Sequence, residues 1–253
     1  MSDSAGESIA TSPQDPALSG PLPVLYQDDA FVAVAKPAGM FVHRTEMDRR
    51  VRVVVMQTVR DQLKRPIYPV HRLDRPTSGV VLLALSSEAA SVASRLFRDR
   101  QVTKSYLAFV RGHTPVMGRV DRPLTSPVVV QSGPLEAVTE YRTEQQFEIP
   151  LQSDRFPTTR CSLVRAIPKT GRFHQIRRHL NGIDHPVIGD TSHGDSRQNR
   201  FFRENFGTTR LMLHAAKIGF RHPMTGKMIE VSCPMPPDMT EPLRQITTRS
   251  GAD

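Results

Sequence analysis

The sequence predicts an α+β fold built on a mixed, largely antiparallel sheet with flanking helices and loops. Two observations carry that expectation. Short apolar runs rich in Val, Leu and Ile outnumber segments with a 3.6-residue period, and most of these runs are joined by short turns rather than by crossover helices. No internal repeat relates one part of the 253-residue chain to another.

Residues 1–21 are rich in Ser, Ala, Pro and Gly and contain no aromatic side chain. Such a segment cannot bury enough apolar surface to offset its ordering entropy, so it is expected to be a disordered tail, with the folded part beginning at Leu22. Val24 to Tyr26 and Phe31 to Ala35 flank Gln27-Asp28-Asp29-Ala30, which predicts a hairpin. Lys36-Pro37-Ala38-Gly39 ends its second strand. Val55, Val59 and Leu63 recur four apart, placing a helix over Val51 to Lys64. Ile67 to Val70 and Val80 to Leu85 read as buried strands, joined by a polar loop at one sheet edge.

Ser86-Ser87-Glu88 offers a helix start, and Ala89, Val92, Ala93, Leu96 and Phe97 then follow the i, i+3, i+4, i+7, i+8 template. Lys104 to Val110 predicts a strand with Tyr106, Ala108 and Val110 on one face. Gly112 to Gly133 is turn-rich and receives no element. Val138 to Phe147 and Arg160 to Ile167 are the next strands. Thr170 to Leu180 reads as a loop entering a short helix with the stripe Phe173, Ile176 and Leu180, ended by Gly182. A basic polar insert, His193 to Arg210, carries Arg197, Arg200, Arg203 and Arg210. The core resumes with Leu211 to Phe220, a turn at His222 to Gly226 and a strand from Lys227 to Ser232. A final amphipathic segment closes a domain expected to span 22–246, with 247–253 frayed.

Lys and Arg total 34 against 25 Asp and Glu, a net charge of +9, which favours a polyanionic partner such as nucleic acid. No apolar run approaches the ~18 residues needed to span a bilayer, and no basic-then-apolar leader opens the chain. Cys161 and Cys233 stand far apart and outside any CxxC pair, as expected of ordinary core thiols in a reducing compartment. The expectation is a cytoplasmic protein with no membrane association and no obligatory protein partner.

The chemistry-bearing stretch is His71-Arg72-Leu73-Asp74-Arg75-Pro76-Thr77-Ser78-Gly79. It presents Asp74 between two arginines, and flanking cations hold a carboxylate ionised, ready to act as nucleophile, base or salt-bridge anchor. Nine histidines invite a metal site, but His174 and His179 are five apart and point to different helix faces, and neither HExxH nor CxxC occurs. GxGxxG, the P-loop pattern and the GxSxG elbow are equally absent. The expected chemistry therefore needs no metal and no cofactor.

His71-Arg72-Leu73-Asp74 with Thr77-Ser78-Gly79 resembles the catalytic loop of the RluA-type pseudouridine synthases. Lys104-x-Tyr106-x-Ala108, Gly171-Arg172-x-His174-Gln175-Ile176-Arg177 and His185-Pro186-x-Ile188-Gly189-Asp190 are similar to that family's later motifs, in the same order. Leu211-Met212-Leu213-His214-Ala215 and His222-Pro223-x-Thr225-Gly226 complete the set. The resemblance is closer to the bacterial tRNA pseudouridine synthase C branch at Val54 to Asp61, Phe156 to Arg160 and His193 to Arg200. It implies a single catalytic domain that isomerises a uridine of tRNA in the acceptor–T stem region. An rRNA target, or a non-catalytic RNA-binding factor using the same basic groove, remains open.

By resemblance, Asp74 is the essential acid, Arg177 its salt-bridge partner and Tyr106 the pocket aromatic. Arg72 becomes the wedge that fills the gap left by an extruded nucleotide, and Leu213 lines the pocket. His71, Arg172 and Arg178 join the substrate-binding set, with Lys36 and the insert arginines as phosphate contacts; His71 and His174 are expected to brace loop and helix. Phe173 stands where many relatives have Thr or Lys.

Overall fold

The computed structural model describes residues 20–43, 53–126, 133–153 and 155–251. Its chain order begins β1 (Val24–Gln27), β2 (Phe31–Lys36), α1 (Val55–Leu63), β3 (Tyr68–Pro69), β4 (Ser78–Ala84) and α2 (Ser87–Arg98). It continues β5 (Thr103–Arg111), β6 (Met117–Asp121), β7 (Val138–Ile149), β8 (Thr159–Pro168) and α3 (Gln175–Asn181). The last elements are α4 (Ser196–Phe206), β9 (Leu213–Arg221), β10 (Met228–Ser232) and α5 (Pro237–Ser250). The strands form one mixed sheet in the order β1-β2-β4-β9-β5-β8-β7-β6, with β10 beside β9 and β3 beside β4. Every strand pairing is antiparallel except β4 with β9, which is parallel. The expected α+β class and largely antiparallel sheet are what the chain adopts.

Two apolar clusters lie along this sheet. The first packs β2, β4, α1 and α2, with Ala215, Ile218 and Phe220 of β9. The second packs β5, β7 and β8 with Ile176, Leu180, Phe201, Phe202 and Phe206, and takes Leu211, Met212 and Leu213 from the run into β9. The β9 segment therefore passes from one core to the other at His214. Tyr106 touches both clusters and marks the same seam on β5.

The parallel contact at the seam is short, pairing Ser78 with His214 and Gly79 with Ala215. Gly79 sits at φ 120°, and a Cβ there would fall on the Ala215 backbone. Only glycine lets β4 lie this close to β9. A Gly79→Ala protein is expected to lose roughly 1–3 kcal/mol of stability from overpacking and backbone strain, read as a lower denaturation midpoint; an unchanged midpoint would show that the seam can relax.

Several local expectations change. The loop before β4 is not at a sheet edge, because β4 is flanked by β2 on one side and by β9 and β3 on the other. The Ile67 to Val70 strand shrinks to Tyr68–Pro69. Helix α1 starts at Val55: Val54 is extended and bridges Phe41, as β-branched residues before a helix readily do, and Val51 lies outside the described residues. The unassigned turn-rich stretch contains β6, paired along β7. The insert is not simply polar. It holds α4, capped by Asp195 and buried through Phe201, Phe202 and Phe206. Helix α5 runs on to Ser250, past the expected fraying point. The predicted tail falls mostly outside the described residues.

Helix α2 matches its expected pattern. Ser86 Oγ accepts the Ala89 N–H at 3.1 Å, and Ala89 and Ala93 are buried. Cys161 and Cys233 are buried and unbridged, and burial raises both thiol pKa values, Cys233 to about 11. No helix among the described residues is long and apolar enough to cross a membrane.

Candidate active site

A cleft of about 580 Å³ opens at the seam between the two cores. The β3–β4 loop contributes His71, Arg72 and Asp74; β5 contributes Lys104 and Tyr106; the turn into α3 and its first residues contribute Arg172 to Arg177; and Leu213 of β9 completes the lining. The structure thus gathers residues from four distant stretches of the chain. Of the residues singled out in the sequence, only Arg178 among the expected substrate-binding set lies off the cleft lining; it donates to the Thr125 carbonyl at 2.8 Å.

The Asp74 loop is held from both ends. The Thr77 N–H donates to the Asp74 carbonyl at 3.0 Å, closing a turn behind the carboxylate. The Arg75 carbonyl accepts from the Gly39 N–H at 2.8 Å and from Lys36 Nζ at 3.1 Å. Lys36 Nζ also donates to the carbonyls of Pro37 and Met40 at 2.9 and 2.8 Å. This lysine is 1% exposed, so it is a loop brace and not a phosphate contact. Burial lowers its pKa to about 7, against which the three carbonyl acceptors favour the ammonium. Arg75, without a role from sequence, donates to Gly39 O at 3.0 Å and covers the Phe41 ring.

His71 is a brace as expected. Its Nε2 accepts the Leu82 N–H at 2.9 Å, and its ring stacks on Phe97. Burial pushes its pKa down to about 4, so the ring is neutral at physiological pH.

Asp74 Oδ2 lies 3.5 Å from Arg177 Nη1 and 3.8 Å from His174 Nε2. The expected ion pair is present, but it is not the stronger partner of Arg177. Its Nε and Nη2 donate to Asp190 Oδ2 and Oδ1 at 2.7 and 2.6 Å, a bidentate fork. Arg177 is 4% and Asp190 0% exposed at the side chain, against 18% for Asp74. Asp190 Oδ1 further accepts the N–H groups of Ser192 and His193, both at 2.9 Å. In the sequence Asp190 is part of a motif without a role of its own. The available signal was its place directly after Gly189, whose positive φ of 78° marks a tight turn.

The turn into α3 is stapled by Gln175. Its Oε1 accepts from Thr170 Oγ1 at 2.7 Å and from the Arg172 N–H at 2.9 Å. Its Nε2 donates to the Val138 carbonyl at 2.9 Å and so ties the turn to β7. His174 caps α3 in the left-handed region at φ 51°. Phe173 is therefore outside the helix; it is half-buried at the cleft and does not belong to the Ile176–Leu180 stripe. His174 Nδ1 is 2.9 Å from His193 Nε2, a neighbour that sequence reasoning did not predict. Burial outweighs the nearby Asp74 and lowers the His174 pKa to about 4, and burial lowers that of His193 as well.

Tyr106 stands across the cleft. Burial, and secondarily the Asp74 carboxylate, raise its phenol pKa, so it remains protonated. Lys104 donates to Thr170 O at 3.2 Å, and burial lowers its pKa to about 8. Arg72 is exposed at the mouth, and Arg172 donates from Nε to Glu136 O at 2.9 Å. Arg210 is not a surface phosphate contact: it donates to Ser78 Oγ at 2.8 Å and pairs with Asp238 at 3.0 Å, while Ser78 Oγ lies 2.9 Å from His214 Nδ1. A carboxylate, a fixed buried cation and a protonated phenol thus line one cleft.

Comparison with known proteins identifies the family. The profile of the RNA pseudouridylate synthase family matches residues 30–182. The chain is 49% identical over 218 residues to tRNA pseudouridine synthase C of Pasteurella multocida (strain Pm70), covering 83% of this chain and 90% of that protein. It is 47% identical over 219 residues to tRNA pseudouridine synthase C of Yersinia pestis, covering 83% and 85%. Among solved structures, the human RNA pseudouridylate synthase domain containing 4 superposes with a TM-score of 0.69 at 26% identity, covering 88% of this chain and 92% of that one. The Asp74 loop, Tyr106 and Arg177 all fall inside the matched stretch, and the chain belongs to the RNA pseudouridylate synthase family.

Proposed function

We propose that the protein converts a uridine of tRNA to pseudouridine in the acceptor–T stem region, with Asp74 as the acting acid. The supporting observation is the Asp74 carboxylate at the cleft, 3.5 Å from an Arg177 that Asp190 holds in place. The isomerisation breaks the C1′–N1 bond, turns the uracil and joins C1′ to C5; the proton lost from C5 is balanced by one gained at N1. No electrons enter or leave, so the reaction asks for positioning and one ionised acid. Arg177 supplies a fixed cation beside that carboxylate.

Tyr106 gives the turned uracil an aromatic wall, with Leu213 below it. Arg72 stands at the mouth, placed to enter the gap that an extruded nucleotide leaves in its stack; unstacking costs a few kcal/mol, which an inserted guanidinium partly offsets. Lys104 and Arg172 border the cleft and supply positive charge for the backbone phosphates. A protein with this substrate acts in the cytoplasm, where tRNA is processed.

The test incubates the purified protein with unmodified tRNA and rRNA transcripts and maps pseudouridine by carbodiimide-dependent primer extension. A new stop in the acceptor–T stem region of tRNA is the expected result. Modification of rRNA alone would refute the tRNA assignment, and modification of neither would refute the activity.

A further inference from the structure

Phe173 occupies a fully built position. Its ring stacks on the His174 imidazole with centroids 3.7 Å apart and planes 19° apart, so one face is covered. The Arg72 guanidinium carbon lies over the ring at 5.5 Å from the centroid and takes the other face. The inner support is fixed. His174 is held in the left-handed backbone region, its Nδ1 lies 2.9 Å from His193 Nε2, and its Nε2 faces Asp74. The outer cover is an exposed, long and flexible side chain. Phe173 is thus a rigid aromatic plate beside the candidate acid, with a displaceable cation on its free face.

We propose that Phe173 is a positioning residue for RNA: a base flanking the extruded uridine stacks on the face that Arg72 covers in the free protein. The inference rests on the pseudouridine synthase reading. Its physical content is an exchange. When the uridine leaves its stack, Arg72 moves from Phe173 into the gap, and the vacated ring face receives the flanking base. The cation–π contact that Arg72 gives up is replaced by base–aromatic stacking, so opening the RNA and seating it are coupled. Because every base has a π-face, this contact fixes the depth and tilt of the strand without reading its sequence.

The test uses a hairpin RNA copying the acceptor–T stem arm, with 2-aminopurine, whose fluorescence falls on stacking, placed in turn on each side of the target uridine. Wild-type, Phe173→Leu and Phe173→Tyr proteins are compared for probe quenching, affinity and pseudouridine formation, with thermal unfolding as the check on folding. At one flank, wild type and Phe173→Tyr are expected to quench the probe and Phe173→Leu to leave it bright. The Kd of Phe173→Leu should rise roughly 5- to 100-fold, while Phe173→Tyr stays close to wild type. Absence of quenching by wild type at both flanks, which needs no variant, overturns the inference, as does equal quenching by Phe173→Leu. Failure of the wild type to form pseudouridine overturns the functional reading instead, whatever the probe shows.

Discussion

Replacing Asp74 with Asn is expected to abolish pseudouridine formation while leaving the protein folded and able to bind RNA. The substitution keeps the shape of the side chain and removes only its charge and its capacity to attack or to take a proton. Single-turnover rates should fall by at least about 10³-fold, the scale on which an essential acid or base is felt. Stability should change by no more than about 1 kcal/mol, because Arg177 keeps its bidentate Asp190 partner at 2.6 and 2.7 Å and is not left as an unpaired buried cation. Affinity should be close to wild type, since the basic rim of Arg72, Lys104 and Arg172 is untouched. Retained conversion in this variant would remove Asp74 from the mechanism. A collapse of stability would instead mean that the 3.5 Å pair carries more of the fold than its geometry indicates.

What sequence shows and what it hides follow from the range of the interactions. The hairpin of β1 and β2, helix α2 and the strand β5 are legible because period, cap and turn signals are local. The residues around the cleft are legible as separate motifs, and the resemblance brings Asp74, Tyr106 and Arg177 together before any coordinates do. Partner choice is not legible. Arg177 looks toward two acids, and only the packing shows that Asp190 takes the fork while Asp74 takes the longer contact. Lys36 and Arg210 read as phosphate contacts until burial shows one capped by carbonyls and the other tied to Ser78 and Asp238. Helix α4 could have been found: Asp195 before Ser196 is a start signal, and Phe202 and Phe206 are four apart. The interleaved Arg197, Arg200 and Arg203 mask that spacing.

Replacing Asp190 with Ala should be the most destabilising single change at the site. It leaves the Arg177 guanidinium, 4% exposed, without its bidentate acceptor, and it strips the N–H groups of Ser192 and His193 of theirs. Removing one partner of a buried pair costs about 3–5 kcal/mol. In a domain of this size that lowers Tm on the order of 10 °C. The pH dependence gives the effect its signature. Burial pushes the Asp190 carboxyl up, but Arg177 and the two backbone donors outweigh it and hold the pKa below the ordinary aspartate range. A carboxyl whose folded pKa is depressed contributes stability that is complete above its unfolded pKa and is lost as pH falls through the folded one. The stability gap between wild type and Asp190→Ala should therefore be flat from neutral pH down to about 4 and narrow on further acidification. Denaturant titrations across that range measure it. A small gap at neutral pH, or one that persists undiminished in acid, would show that Arg177 finds its charge balance in Asp74 and not in Asp190. Asp74 would then be an anchor as well as an acid, and the division of labour between the two carboxylates would have to be reversed.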